Sequence, residues 1–181
     1  MADSEAPSDE ALMNRYCDGD NQALEVLFER HAGGVHGFLA RMVRDGALAD
    51  DLLQTTFLSV VRSADRYQRG AKVLPWLLTI AANAARDTLR RKKQGVETLA
   101  GTDAPPEPSF TPEMSDPGAR KLIEAAFAEL PAQQREAVVI HKLNGLTFEE
   151  IAEALNITPT AARIRAHRGY EKLRPLLEKL S

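Results

Sequence analysis

The sequence predicts an all-α protein: two small helical domains joined by a flexible, acidic, proline-rich linker, the C-terminal domain a helix-turn-helix. Three observations carry that expectation. Apolar residues recur at helical spacing through most of the chain and almost never alternate as they would in a strand. Residues 94–118 hold five of the ten prolines, three glycines, five acidic residues and no Lys or Arg. Beyond them, two short helical patterns are joined by a tight turn.

With 181 residues, 44% hydrophobic and 27% charged, the chain has enough apolar mass for an ordinary core. No run of about 18 apolar residues occurs, and the opening MADSEAPSDE is acidic where a secretory signal is basic and then apolar. A cytoplasmic protein without membrane insertion is the expectation. One cysteine, Cys17, excludes an internal disulfide framework, and four scattered histidines with it lack the repeated spacing of a zinc site. Neither a metal nor a cofactor is implied. Cys17 reads as a small filler near Tyr16. His31, His36, His141 and Cys17 form no recognisable nucleophile, base and orienting group, so the chain does not read as an enzyme.

The net charge of −3 conceals a segregation of sign. Residues 1–65 carry 5 basic against 12 acidic side chains, residues 66–93 carry 8 against 1, residues 94–118 carry 0 against 5, and residues 119–181 carry 10 against 8. Such blocks point to a polyanion-binding surface beside an acidic surface for another partner.

Taken in order, Leu24, Leu27, Phe28, Val35, Phe38, Leu39 and Met42 mark one apolar stripe of a helix that Gly33 and Gly34 weaken locally and that ends at Asp45-Gly46. A further helix over about 47–64 turns Leu52, Leu53, Phe57, Val60 and Val61 inward and leaves Asp50, Asp51, Gln54 and Arg62 outside. Residues 66–72 are polar and basic and contain Gly70, a loop. Pro75 suits the first turn of the next helix, which runs through Trp76, Leu77, Ile80 and Ala84 into the basic residues 90–93, whose cations complement the helix dipole. Residues 94–118 form the linker, dividing the chain into 1–93, 94–118 and 119–181.

Pro131 opens the next helix, closed by Asn144-Gly145. Thr147 and Glu150 have capping-box spacing for a short helix with Phe148, Ile151, Ala152 and Leu155 on one face. Asn156-Ile157 turns the chain, Thr158 caps a second helix with Pro159 at its first position, and that helix extends to about Leu173 before an irregularity at Pro175. On a helical wheel Ala162, Ala166, Tyr170, Leu173 and Leu177 share the core arc, while Ala161, Arg165, Arg168 and Lys172 share a second arc suited to a DNA groove. Arginine's fork matches a guanine edge or a phosphate, and Arg163 projects toward the flanking backbone.

A second cationic region comprises Arg66, Tyr67, Arg69 and Lys72, followed on the helix by Asn83, Arg86, Arg90 and Arg91. Cations interleaved with an aromatic suit a single strand, the charges tracking phosphates and a ring or amide receiving an unstacked base. Trp76, among Leu74, Leu77 and Ile80, reads as core.

The stretch ALADDLLQTTFLSVVRSADRYQRG with VLPWLLTIAANAARDTLRRKK, and then LPAQQREAVVIHKLNGLTFEEIAEALNITPTAARIRAHRGYEKLR, resembles the extracytoplasmic-function group of bacterial RNA polymerase sigma factors. The resemblance implies that Asp50, Asp51 and Gln54 dock on the clamp helices of the polymerase largest subunit. It implies that residues 66–72 and the following helix recognise and melt the minus-ten promoter element, and that Thr160, Ala161, Arg165 and Arg168 lie nearest the bases of the minus-thirty-five element. It also implies sequestration by an anti-sigma factor. The chain departs from the group's usual pattern at Thr55, Ala82, Ala162, Ile164 and Ala166. Two promoter elements about two helical turns apart are separated by roughly 70 Å, and a linker over 94–118 can extend to about 80–90 Å. A stand-alone helix-turn-helix regulator is the alternative, which leaves the basic loop and the acidic helix without a role.

Overall fold

In the computed structural model the described residues are 6–94 and 117–178. Among them the chain is helical throughout, with α1 Asp9–Cys17, α2 Asn21–Val43, α3 Gly46–Ser63, a 3-10 turn Ala64–Arg66, α4 Val73–Lys93, α5 Pro117–Glu129, α6 Ala132–Leu143, α7 Phe148–Leu155 and α8 Pro159–Leu177. Nearly all of the expected linker lies outside the described residues.

Local chemistry sets most helix ends. Ser8, Asp20 and Asp45 cap α1, α2 and α3, each side chain accepting from a backbone N–H of the first turn. Arg44 adopts a left-handed conformation, φ 58°, between α2 and α3, so the turn expected at Asp45-Gly46 falls one residue earlier and Gly46 is already helical. Thr147 and Glu150 form both halves of the capping box of α7, and Thr158 accepts from Ala161 N at the start of α8 with Pro159 in first place. Asn156, φ 52°, makes the left-handed turn between them.

Three features differ from the sequence reading. Helices α1 and α5 were not expected. Each is short, and α1 is held by burying Leu12 and Met13 against the core, a tertiary gain that its own periodicity does not announce. Helix α8 does not stop before Pro175 but runs through it to Leu177. Pro175 lies two residues before the end of α8 and is exposed, where one lost backbone hydrogen bond is tolerated. Phe28 and Val61, expected on the apolar stripes of α2 and α3, are exposed, since Val61 lies about 100° round the helix from the buried Val60, whereas α2 passes unbroken through Gly33-Gly34 as one helix, as expected.

Helices α1 to α4 form one bundle around Phe38, Leu39, Leu78 and Met13, and α5 to α8 form a second unit. Gly169 permits the close approach of α8 to α6, since a Cβ there would lie 2.5 Å from Val138 Cγ2. The two units pack together, α6 on α2 and α7 on α4. Their apolar residues merge into one cluster in which Leu78, Ala81, Ala82 and Ala85 share the core with Ile140, Ile151, Ala154 and Leu155. The alanines on α4 are short enough to let α7 approach closely. Ala82 is fully buried there.

Candidate nucleic-acid interface

On α8 Ala162, Ala166 and Leu173 are buried as expected, Tyr170 is half-buried, and Thr160, Arg163, Arg168 and Lys172 are exposed, while the side chain of Leu177 lies outside the described residues. Ala161 and Arg165 are half-buried. Among the described residues Arg168 and Lys172 make no ion pair, so their cations are free to meet phosphate or base edges. Arg163 lies over the Phe148 ring, 5.4 Å from its centroid, and 4.0 Å from Glu149 Oε1, which fixes it on the α7 side of the motif. The charge of Arg165 acts on the Glu136 carboxylate of α6 and favours its charged form, less than Arg86 does.

The second cationic region is engaged with the rest of the chain. Arg66, at the end of the 3-10 turn, and Lys72, before α4, are exposed. Arg69 is exposed but bonded to Asp18, Nη2 to Oδ1 at 2.6 Å, which holds the Asp18 carboxyl below its ordinary range. Tyr67, expected to receive a base, is turned inward at 6% exposure beside Trp76, its hydroxyl donating to the Ala71 carbonyl oxygen. Burial, with Glu10 and Cys17 nearby, pushes its phenol up to about 12. Trp76 packs against the core as expected. Asn83 is exposed and accepts from Arg86 Nη1 at 3.1 Å. Arg86 donates from Nε to Glu136 Oε1 at 3.0 Å, and its Nη2 lies 2.8 Å from the same oxygen. Arg90 pairs with Asp87 at 3.1 Å one turn back.

On α3, Asp50, Asp51 and Gln54 are all exposed. Asp50 lies 3.0 Å from His36 Nε2 on α2, and Thr55 donates back to the Asp51 carbonyl at 2.8 Å. Phe28, Leu58 and Val61 extend this face with exposed apolar surface. Cys17 is half-buried, its Sγ 3.5 Å from the Ala64 carbonyl, consistent with a filler.

The sequence reading did not anticipate Glu136, Arg135 or Asn144. Arg135 satisfies the carbonyls of Phe127, Ala128 and Leu130 at the C-terminal end of α5 and reaches Arg41 O on α2 at 3.3 Å. Burial lowers its guanidinium from the usual value. Glu136 is 3% exposed, and burial raises its carboxyl above the ordinary range despite the nearby Arg86. The only forewarning was a charged Arg-Glu pair directly ahead of the apolar Ala137, Val138, Val139 and Ile140.

Among the described residues no group of His, Cys, Asp and Glu is placed to hold a metal, and no helix is long and apolar enough to cross a membrane. The arrangement can bind and orient nucleic acid.

Comparison with known proteins agrees. The Sigma-70 region 2 family matches residues 27–95 and the Sigma-70, region 4 family matches residues 120–173. The chain is 54% identical over 168 residues to RNA polymerase sigma factor CarQ of Myxococcus xanthus, covering 93% of this chain and 97% of that one. It is 32% identical over 189 residues to ECF RNA polymerase sigma factor SigE of Mycolicibacterium smegmatis, covering 97% and 71%. In fold it is similar to CnrH in its complex with the cytosolic domain of CnrY, TM-score 0.70 at 21% identity over 96% of this chain and 99% of that chain. It is also similar in fold to the sigma factor RpoE in complex with the anti-sigma factor NepR from Bartonella quintana, TM-score 0.69 at 20% identity over 85% and 96%. Two cationic helical surfaces, an acidic exposed helix and these relatives converge on one conclusion: the chain belongs to the extracytoplasmic-function family of RNA polymerase sigma factors, non-enzymatic subunits that direct transcription initiation.

Proposed function

We propose a division of labour along the chain. Residues 1–93 dock on core polymerase and act on the minus-ten element, residues 94–118 span between the elements, and residues 119–181 read the minus-thirty-five element. Asp50, Asp51 and Gln54 on α3 meet the clamp helices of the largest subunit. Arg66, Arg69 and Lys72 with Asn83, Arg86 and Arg90 on α4 serve recognition and melting of the minus-ten element, and Tyr67, packed inward beside Trp76 and bonded to Ala71, holds the loop that carries them. Thr160, Ala161, Arg163, Arg165, Arg168 and Lys172 on α8 contact the minus-thirty-five duplex. The protein works in the cytoplasm, and an anti-sigma factor sequesters it, by analogy with the complex of the sigma factor RpoE with the anti-sigma factor NepR and that of CnrH with CnrY.

The observation that carries this reading is the exposed Thr160, Arg168 and Lys172 face of a doubly capped bihelical motif. Loss of one base contact costs about 1–3 kcal/mol, roughly 5- to 150-fold in affinity. In a reconstituted transcription assay Arg168→Ala therefore lowers output from a cognate promoter while leaving core binding intact. Asp51→Arg does the reverse, weakening binding to core. Full promoter output from Arg168→Ala, or undiminished core affinity from Asp51→Arg, rejects the corresponding assignment.

A further inference from the structure

Helix α1, unexpected from the sequence, meets the loop between α3 and α4 at three places. Cys17 Sγ lies 3.5 Å from the Ala64 carbonyl oxygen, where the loop leaves α3. Asp18, the residue after α1, holds Arg69 in the middle of the loop, Oδ1 to Nη2 at 2.6 Å. Glu10 Oε1 accepts from Val73 N at 3.4 Å, where the loop becomes α4. That last contact stands in for a local one, because Lys72 gives α4 no side-chain cap. A carboxylate at a helix start meets both an unpaired N–H and the positive end of the dipole.

Helix α1 is itself a fixed support. Leu12 and Met13 are buried, and Asp9 lies 3.0 Å from Arg30 Nη1 and 2.7 Å from His31 Nε2 on α2. Within the loop, Tyr67 donates to the Ala71 carbonyl, Ala71 N donates to Gln68 O at 2.9 Å, and Gly70 is left-handed at φ 82°. Those bonds close the loop on itself, and α1 fixes its start, middle and end. A loop held in this way has little freedom left to lose on meeting a strand, so its exposed cations Arg66 and Lys72 are presented in one geometry.

We infer that α1 is the positioning element of this loop, with Glu10, Cys17 and Asp18 fixing residues 64–73 so that the loop discriminates among sequences instead of holding any strand. This inference rests on the proposed reading of residues 66–72 as the segment that meets the minus-ten element. A mobile loop repacks around a wrong base, whereas a preorganised one leaves it unpaired. Attraction to phosphates needs no such geometry. Loosening α1 therefore separates the two: sequence preference falls, while total attraction for single-stranded DNA stays or rises as Arg69 leaves Asp18.

The test uses the full chain bound to core polymerase and a fork-junction DNA pool randomised across the minus-ten positions, sequenced before and after selection. The parent enriches one class of sequence. Glu10→Ala with Asp18→Asn lowers that enrichment by about fivefold, the factor worth one net hydrogen bond, with affinity for core and for an unselected single strand undiminished. Glu10→Gln, which keeps an acceptor for Val73 N, retains the parent's enrichment. Undiminished enrichment in the double variant overturns the inference. So does an equal fall in enrichment, core affinity and strand affinity, which marks a general loss of structure. Asp18→Asn alone, at a pair exposed on both sides, leaves the bundle folded and gives a smaller fall, and no fall there overturns the part assigned to Asp18. Amide exchange of the free chain is the second readout: in the double variant it quickens over residues 64–73 and not in α2 or α3, whereas unchanged protection over 64–73 overturns the positioning. If the parent enriches nothing, the minus-ten reading fails instead, and amide exchange still decides whether α1 holds the loop.

Discussion

The cations of α8 and those of the segment over residues 66–93 look alike in the sequence but stand in opposite states in the fold. Arg168 and Lys172 are exposed and, among the described residues, unpaired, on a helix whose start is fixed by Thr158 and Pro159. Arg69, Arg86 and Arg90 are each held by a carboxylate, and Tyr67 is folded inward. On the proposed reading, one surface has its cations uncommitted and open to duplex DNA. The other is restrained by internal ion pairs that, on the same proposal, DNA would have to displace. The difference comes from register: helical spacing sends Arg168 and Lys172 to solvent, whereas tertiary packing decides what Arg86 meets.

The largest test of this contrast removes the apolar contact that joins the two regions. Ile151 on α7 is fully buried in the cluster shared with α4, so Ile151→Ala is expected to destabilise the protein by about 2–5 kcal/mol. Chemical denaturation followed by circular dichroism measures it, and a loss below 1 kcal/mol by the same scale of core truncations would show that the cluster is loosely packed. Next in size is Gly169→Val, which forces side-chain atoms against Val138 and costs about 1–3 kcal/mol by overpacking, read as a lowered thermal midpoint. If the melt is unchanged, α8 and α6 do not approach as closely as described. Thr158→Ala removes the cap of α8 and should cost about 1 kcal/mol, with helix content at the start of α8 reported by amide exchange.

Two smaller effects concern charge. The raised carboxyl of Glu136 means that the native state binds its proton more tightly than the unfolded chain does. Its contribution to stability is therefore fully present below the ordinary glutamate range and declines as pH rises through the raised value. Glu136→Gln should flatten that decline in a urea titration repeated across pH, and an unaltered slope would mean that another group causes it. The lowered carboxyl of Asp18 acts in the opposite sense: its contribution is present above the ordinary aspartate value and is lost as pH falls through the lowered one. Both partners are exposed, so Asp18→Asn should barely move stability while freeing Arg69, detectable as tighter binding of single-stranded DNA.

How far the sequence led can be seen at particular residues. Thr147, Glu150, Thr158 and Pro159 specify two helix starts by contacts within three residues of themselves, and each stands in its expected position. Ala162, Ala166 and Leu173 were legible as core because helical periodicity is a local property. Helix α1 escaped notice because nine residues are marginal alone and gain stability only by docking. The inward turn of Tyr67 is not legible for the same kind of reason, since an aromatic in a basic loop has no intrinsic orientation. Its burial follows from Trp76 and Ala71 lying beside it in space.

Family membership, helix starts and the separation of charge along the chain follow from the sequence, because caps, turns and periodicity act over a few residues. The partners of Arg86, Glu136, Asn144 and Gly34 were decided only by the tertiary structure. These contacts join positions 50 and 110 residues apart, and no local rule selects such partners. They arise when two units, each of which could fold around its own short-range signals, bury their remaining apolar faces against each other and must then satisfy whatever polar groups that burial encloses.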